Sequence, residues 1–296
     1  MVIIMKLTLK AKMAYGAQDG AFWGDYMFRF NADGRCRVFD AKGLDAESAE
    51  PVDLALISEF AVNPAEPVIP HFNAVVFGSE YFADGDEFPL LYANIYNNYA
   101  KQEDRREGMC CVYRLLRDNT AFSMTLVQII KIGFVEDRQL WKSNGEKPDV
   151  RPYGNFVIDT EKNLLHAFTM RDATHTTRYF SFDLPKLADG VVSEEYGVRL
   201  VTLGAEDIRD YFDTEYHLFI QGACCHKGKI YSSEGFNADV PPALRVIDPE
   251  KKEQLLHINL PDLGYTVEAE WIDFRNDICY YSDAKGNIFE ADFELK

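Results

Sequence analysis

Glu270-Trp-Ile-Asp-Phe-Arg-Asn-Asp-Ile-Cys-Tyr-Tyr-Ser-Asp-Ala-Lys-Gly-Asn-Ile-Phe-Glu-Ala-Asp-Phe-Glu-Leu-Lys296 closes the chain with three strand-like runs, Glu270–Phe274, Ile278–Ser282 and Asn287–Phe293. Each is short, rich in aromatic and branched residues, and bounded by Asp, Asn or Gly, the pattern of antiparallel strands joined by tight turns. Its third run ends on Ile288-Phe-Glu-Ala-Asp292. The same phrase, an apolar strand end followed by Asp or Arg and a turn, recurs as Cys36-Arg-Val-Phe-Asp40, Cys111-Val-Tyr-Arg114, Arg178-Tyr-Phe-Ser-Phe-Asp183 and Leu244-Arg-Val-Ile-Asp248. A hairpin precedes every copy. After the first four comes one further strand: Leu54–Val62, Ser123–Phe134, Gly197–Leu203 and Leu255–Leu260. The repeating unit is therefore four antiparallel strands, and the last unit lacks its fourth.

The N-terminal run Ile3–Lys10 alternates and has no hairpin partner of its own. A spare first strand and a missing last strand complete one another if the units close into a ring, which leaves no open sheet edge. The expected fold is thus all-β: a five-bladed β-propeller of four-stranded antiparallel blades, closed by the N-terminal strand. The expected boundaries are residues 1–10 for the closing strand of the last blade, and 18–63, 72–135, 154–204, 220–261 and 268–296 for the blades, in one domain of 1–296. Helical periodicity is nearly absent. Only Ala205–Tyr211 and Asp45–Val52 suggest a helical turn.

These repeats resemble the β-propeller superfamily over essentially the whole length, in particular the functionally unassigned five-bladed propellers of bacteria. The chain lacks Trp-Asp blade endings, paired kelch glycines and a Tyr-Trp-Thr-Asp motif, so the resemblance implies a shape and no active site.

In a propeller the innermost strand of each blade lines a central channel. Aligned, these strands read Asp19-Gly-Ala-Phe, Asn73-Ala-Val-Val, Asn155-Phe-Val-Ile, Gln221-Gly-Ala-Cys and Glu270-Trp-Ile-Asp. Asp19, Asn73, Asn155, Gln221 and Glu270 are expected to form a polar ring at one channel mouth, with Gln18, His71, Tyr153 and Glu268 on its rim. Two outcomes are open: a ligand-binding ring, or polar strand ends that satisfy backbone and channel water. Asp19 and Glu270 lie on blades that closure makes neighbours, so they are the candidate carboxylate pair of a carbohydrate-active hydrolase or lyase. Five-bladed glycosidases resemble this design but carry three carboxylates, and Asn73 and Asn155 stand in two of the corresponding places. No catalytic set emerges. The leading reading is a ligand- or partner-binding propeller using the funnel for a small molecule, carbohydrate or protein. A protein-interaction scaffold, with an apolar patch on a blade-top face, is the third.

Composition narrows the partners. Lys and Arg number 31 against 48 Asp and Glu, a formal charge of −17. The longest basic cluster, Arg105-Arg106, sits among acids, which argues against nucleic acid and anionic membranes. The six cysteines include the adjacent pairs Cys110-Cys111 and Cys224-Cys225 but no C-x-x-C, and no cofactor or metal is expected. His71, His217 and His226 lack metal-ligand spacing. Asp84-Gly85-Asp86-Glu87 reads as a hairpin turn rather than a calcium loop, Ser232-Ser233-Glu234-Gly235 is no nucleophile elbow, and Asn97–Gly108 reads as a polar loop. The start of the chain lacks a signal-peptide apolar region, and no run approaches a membrane span, so a reduced, cytoplasmic protein is expected.

Overall fold

The computed structural model describes residues 5–48, 50–62, 68, 71–95, 108–132, 155–171, 174–217 and 219–293. Their strands form five sheets arranged as the blades of a propeller. Blade one contains β2 (Asp19–Trp23), β3 (Tyr26–Phe30), β4 (Arg35–Asp40) and β6 (Leu56–Ala61), innermost first. Blade two begins with β7 (Val75–Phe77), β8 (Leu91–Asn94), β9 (Met109–Asp118) and β10 (Ala121–Ile132). Blade three is β11 (Asn155–Asp159), β12 (Leu164–Arg171), β13 (Thr176–Asp183) and β16 (Asp210–Glu215). Blade four is β17 (Ile220–His226), β18 (Lys229–Glu234), β19 (Ala243–Asp248) and β20 (Glu253–Asn259). Blade five starts with β21 (Ala269–Arg275), β22 (Ile278–Asp283) and β23 (Asn287–Phe293).

The ring closes as expected, through β1 (Met5–Lys12), which pairs antiparallel with β23 from Met5↔Phe293 to Lys12↔Asn287. The chain then crosses the seam a second time. β5 (Val52–Asp53), from the connection between β4 and β6, lies parallel to β1 on the outer edge of blade five. An apolar cluster fills the space behind it, joining Phe22, Met27 and Phe39 of blade one to Trp271, Tyr280 and Ile288 of blade five. Phe22 packs on Trp271 with ring centroids 5.0 Å apart. Arg275 reaches across to the Asp45 carboxylate and donates from Nε to the Gly24 carbonyl at 3.1 Å. The seam is thus held by backbone pairing, packing and charge together.

Blade two departs from the four-strand plan. β15 (Arg199–Leu203) pairs parallel to β10, and β14 (Val191–Val192) pairs antiparallel to β15, so the blade has six strands. The run Gly197–Leu203, expected as the outer strand of blade three, therefore belongs to its neighbour, and the expected blade range 154–204 is corrected accordingly. The physical cause lies in the connection after β13. The Gln128 amide donates to the carbonyls of Lys186, Leu187 and Asp189 at 2.8, 3.4 and 3.3 Å, drawing the excursion onto blade two. The true outer strand of blade three is the acidic run Asp210–Glu215, whose Phe212 alone is buried. The helical turn expected over Ala205–Tyr211 shrinks to the single 3-10 turn Ala205–Asp207, capped by Asp207 Oδ2 accepting from Gly204 N at 2.7 Å. The other one, Asp45–Val52, is displaced to a 3-10 turn at Ala41–Asp45. Asp84–Glu87 does join β7 to β8, where Asp86 is bridged to Arg114 at 2.7 Å. Most of Asn97–Gly108, together with Ile3, Ile4, Gly133, Phe134 and Tyr153, lies outside the described residues.

Candidate functional site

The inner strands run along the channel in one direction. We call the mouth where they begin the upper mouth and the one where they end the lower mouth.

At the upper mouth the structure gathers the amides into a clasp. Asn94 on β8 donates from Nδ2 to Asn73 Oδ1 at 2.5 Å and to Asn155 Oδ1 at 2.7 Å. Its Oδ1 accepts from Asn73 N and Ala74 N at 3.2 and 2.6 Å. Asn73 and Asn155 in turn donate to the Ile220 carbonyl at 3.0 and 3.3 Å. Blades two, three and four are thereby tied together. Gln221 donates to Glu268 Oε1 at 2.6 Å and to the Gly235 carbonyl at 3.0 Å, tying blade four to blade five. His71 and Gln18 meet at 3.2 Å and tie blade two to blade one. Gln221 and Glu270 both stand at breaks in strand register, between Ile220 and Gly222 and between Ala269 and Trp271. Such bulges turn a side chain away from its regular face. The described upper residues spend their polar groups largely on one another, as satisfied strand ends do.

Between the mouths lies a buried charged cluster. Asp19 Oδ2 accepts from Val75 N of blade two at 2.6 Å. Arg29, on the second strand of blade one, crosses Gly20 and lies over the Trp271 ring at 4.4 Å, while Trp271 Nε1 donates to the Gly20 carbonyl at 3.0 Å. Glycine is required here. A Cβ on Gly20 would fall 2.0 Å from the Phe28 carbonyl oxygen and 2.9 Å from Arg29 Cδ. Gly222 is equally constrained, since its Cβ would stand 2.8 Å from Asp19 Oδ1. None of the three Arg29 guanidinium nitrogens, nor Asp19 Oδ1, Glu270 Oε2 or Ser282 Oγ, has a hydrogen-bond partner among the described residues. Buried groups of this kind are ordinarily met by internal water. Asp19 is fully buried and Glu270 nearly so.

Burial dominates the electrostatics. It pushes Asp19 well above the usual carboxylate range against the pull of Arg29, and raises Glu270 to about 8, with Glu268 adding to the effect. Arg29 is lowered to about 10 by desolvation, and Asp273 is raised to about 7 by the same cause. A carboxyl raised in the fold holds a proton that the unfolded chain has released, so stability falls as pH rises toward the folded value. Buried His166 and His217, both lowered to about 4, act oppositely below their ordinary value near 6.5. The window from pH 7.5 to 8.5, a full unit above the ordinary histidine value, therefore isolates the carboxyls. Unfolding stability is expected to fall by about 1–3 kcal/mol across it, and Glu270→Gln is expected to flatten that slope. Denaturant titrations at four pH values test this, and a stability that rises with pH there would contradict it.

An open space on the axis lies at the lower mouth. A cavity of about 440 Å³ is contacted by the inner strands of all five blades. β2 contributes Phe22 and Trp23, and β7 contributes Val76 and Phe77. Ile158 of β11 and the thiols Cys224 and Cys225 of β17 complete the apolar side. β21 supplies Phe274 and Asp273. Asp273 accepts from Phe22 N and from Phe274 N, both at 2.8 Å, which fixes its carboxylate between blades one and five. Sequence alignment of strand starts does not reveal this mouth, because the residues at the strand ends share neither type nor spacing. Arg29 and Asn94 were equally hidden on second strands. The signal for Arg29 was available: an arginine between Phe28 and Phe30, opposite the glycine of an inner strand.

The histidines are scattered as their spacing suggests. His217 lies 3.3 Å from Glu234, and His226 stacks on Phe274 with centroids 3.9 Å apart. Among the described residues no group of three or more His, Cys, Asp or Glu could hold a metal ion, and no helix is long and apolar enough to cross a membrane. All six cysteines are free thiols.

No protein-family profile and no curated protein sequence matches the chain. Solved structures similar in arrangement include the glutaminyl cyclase of Myxococcus xanthus, at 12% identity and a TM-score of 0.49 over 100% of this chain and 97% of that one. A putative oxidoreductase (glucose dehydrogenase) of Thermus thermophilus is similar at 10% identity and a TM-score of 0.46, covering 98% of this chain and 100% of that one. BamB of Moraxella catarrhalis is similar at 10% identity and a TM-score of 0.32, over 95% of this chain and 59% of that one. What the five sheets and their closing strand show is a five-bladed β-propeller.

Proposed function

We propose that the protein is a binding propeller whose small-molecule ligand sits on the axis, in the lower cavity. The observation that carries this reading is one open space contacted by all five inner strands, walled by aromatic and aliphatic side chains around a single carboxylate. Its volume is that of an ordinary small-ligand site. The upper ring supports the reading by contrast, since its amides are committed to holding blades together. The carbohydrate-hydrolase alternative gains little. Glycoside hydrolysis needs two carboxyls flanking a bond that substrate can reach, whereas Asp19 and Glu270 are enclosed beside Arg29.

Ligand-observed NMR against a fragment library of amines, acids, sugars and neutral aromatics tests the proposal. Thr160 is exposed and lines the cavity, so Thr160→Trp is expected to plug it without disturbing the core. Fragments that bind the parent protein are expected to lose at least tenfold in affinity in this variant. Binding unchanged by the plug would place the ligand elsewhere and sink the reading.

A further inference from the structure

The walls of the lower cavity select among ligands. Among its described lining residues Asp273 carries the one formal charge, and none is a lysine or an arginine. Five aromatic residues line the cavity along with that carboxylate: Phe22, Trp23, Phe77, Tyr81 and Phe274. The rings are held in place. Trp23 and Phe77 pack with centroids 5.4 Å apart, and Phe274 is braced by His226 at 3.9 Å and by Tyr231 at 4.6 Å. Asp273 is likewise fixed by its two backbone donors, and each oxygen keeps a further lone pair. An anion would find a carboxylate and ring faces, both repulsive to it, in a chain of net charge −17. A sugar needs several convergent hydroxyl partners, and among the described lining residues Ser79 and Thr160 are the hydroxyls besides Tyr81. A cation bearing apolar substituents is attracted both by the carboxylate and by the negative faces of the rings.

We propose that the lower cavity binds an organic monocation, a protonated amine or quaternary ammonium, with its charge against Asp273 and its substituents against the aromatic walls. This deepens the ligand-site reading and rests on it. The charge partner titrates. Asp273 faces Arg29 and Asp19 from blade one, Cys224 from β17 and Cys279 from β22, and burial raises it to about 7. The ionised form takes the cation, so binding deepens as pH rises through neutrality.

Calorimetric titrations with choline, its uncharged isostere 3,3-dimethylbutan-1-ol, tetraethylammonium and benzoate test this directly. At pH 8 the cations are expected to bind at least tenfold more tightly than the alcohol, with benzoate weakest. Between pH 8 and pH 6 choline affinity is expected to fall about tenfold while that of the alcohol stays constant. Asp273→Asn is expected to erase the preference for charge and keep the alcohol's affinity. Should that variant fold poorly, Trp23→Leu, which leaves the carboxylate in place, is expected to weaken choline more than the alcohol. Alcohol or benzoate bound as tightly as choline, or a preference that survives Asp273→Asn, overturns the assignment. The ligand-site reading stands separately if neutral fragments bind and are lost in Thr160→Trp. Both fall if no probe of any charge binds.

Discussion

Deletion of residues 1–12 is expected to lower the melting temperature by more than about 10 °C and to make the protein aggregate. The strand β1 it removes supplies the whole backbone pairing of β23 on its outer side, from Met5↔Phe293 to Lys12↔Asn287. It also carries the register that holds β5, and it contributes Ala11 to the seam cluster with Leu7 and Leu9 packed on the main core. Each ladder hydrogen bond contributes about 1 kcal/mol net, and the lost apolar contacts add to that. The sum is of order 5 kcal/mol or more, a large part of the total stability of a typical domain. In a chain of this size each kcal/mol shifts melting by about 2–4 °C. The bared β23 edge is then a template for pairing with other chains. A truncated protein that melts within 2 °C of the parent and stays monomeric would contradict the account of closure.

Arg245→Met is expected to destabilise the protein by about 3–5 kcal/mol. Arg245 on β19 holds Glu234 on β18 by two hydrogen bonds, Nε to Oε1 at 2.8 Å and Nη2 to Oε2 at 3.0 Å. Both side chains are 4% exposed. Ser232 and His217 complete the surroundings of the carboxylate at 3.1 and 3.3 Å. Arg245 and His217 draw Glu234 below its ordinary range even though burial opposes them. Removing the guanidinium strands that charge in the core. The pair itself has little net value once its desolvation is counted, so the double variant Arg245→Met with Glu234→Leu is expected to recover most of the loss. Chemical denaturation of the parent, both single variants and the double variant measures this coupling. A double variant as unstable as Arg245→Met alone would show that the arginine acts through packing rather than charge.

The parts of the fold that could be read in the sequence are those written in repeated local signals. Four antiparallel strands per unit announce themselves through the recurring phrase of Arg178–Asp183 or Leu244–Asp248, an apolar strand end followed by Asp and a turn. Ring closure was legible because Ile3–Lys10 had no neighbour in sequence to pair with. The excursion to blade two was not, because β15 joins β10 in parallel, and a parallel pair leaves no turn between its strands. The strand that takes the outer place in blade three, Asp210–Glu215, buries one apolar side chain and so lacks a hydrophobic stripe. For the site, the starts of the inner strands could be aligned by their shared acids and amides. Their clasping through Asn94 depends on a second strand that no alignment of first strands includes. The lower cavity was invisible for a related reason. It is made by strand ends as unlike as Trp23, Phe77, Ile158, Cys225 and Asp273, which only the ring geometry brings together.

The central claim is that ligand binds on the axis, at the lower mouth. A crystal structure of the protein with its tightest fragment or ammonium probe tests it most directly. The account predicts difference density in contact with Asp273 and the rings of Trp23 and Phe77, with the Asn73–Asn94–Asn155 clasp intact. Density at the upper mouth beside Gln221 and Glu268, or on an outer blade face with the lower cavity unchanged, would contradict it.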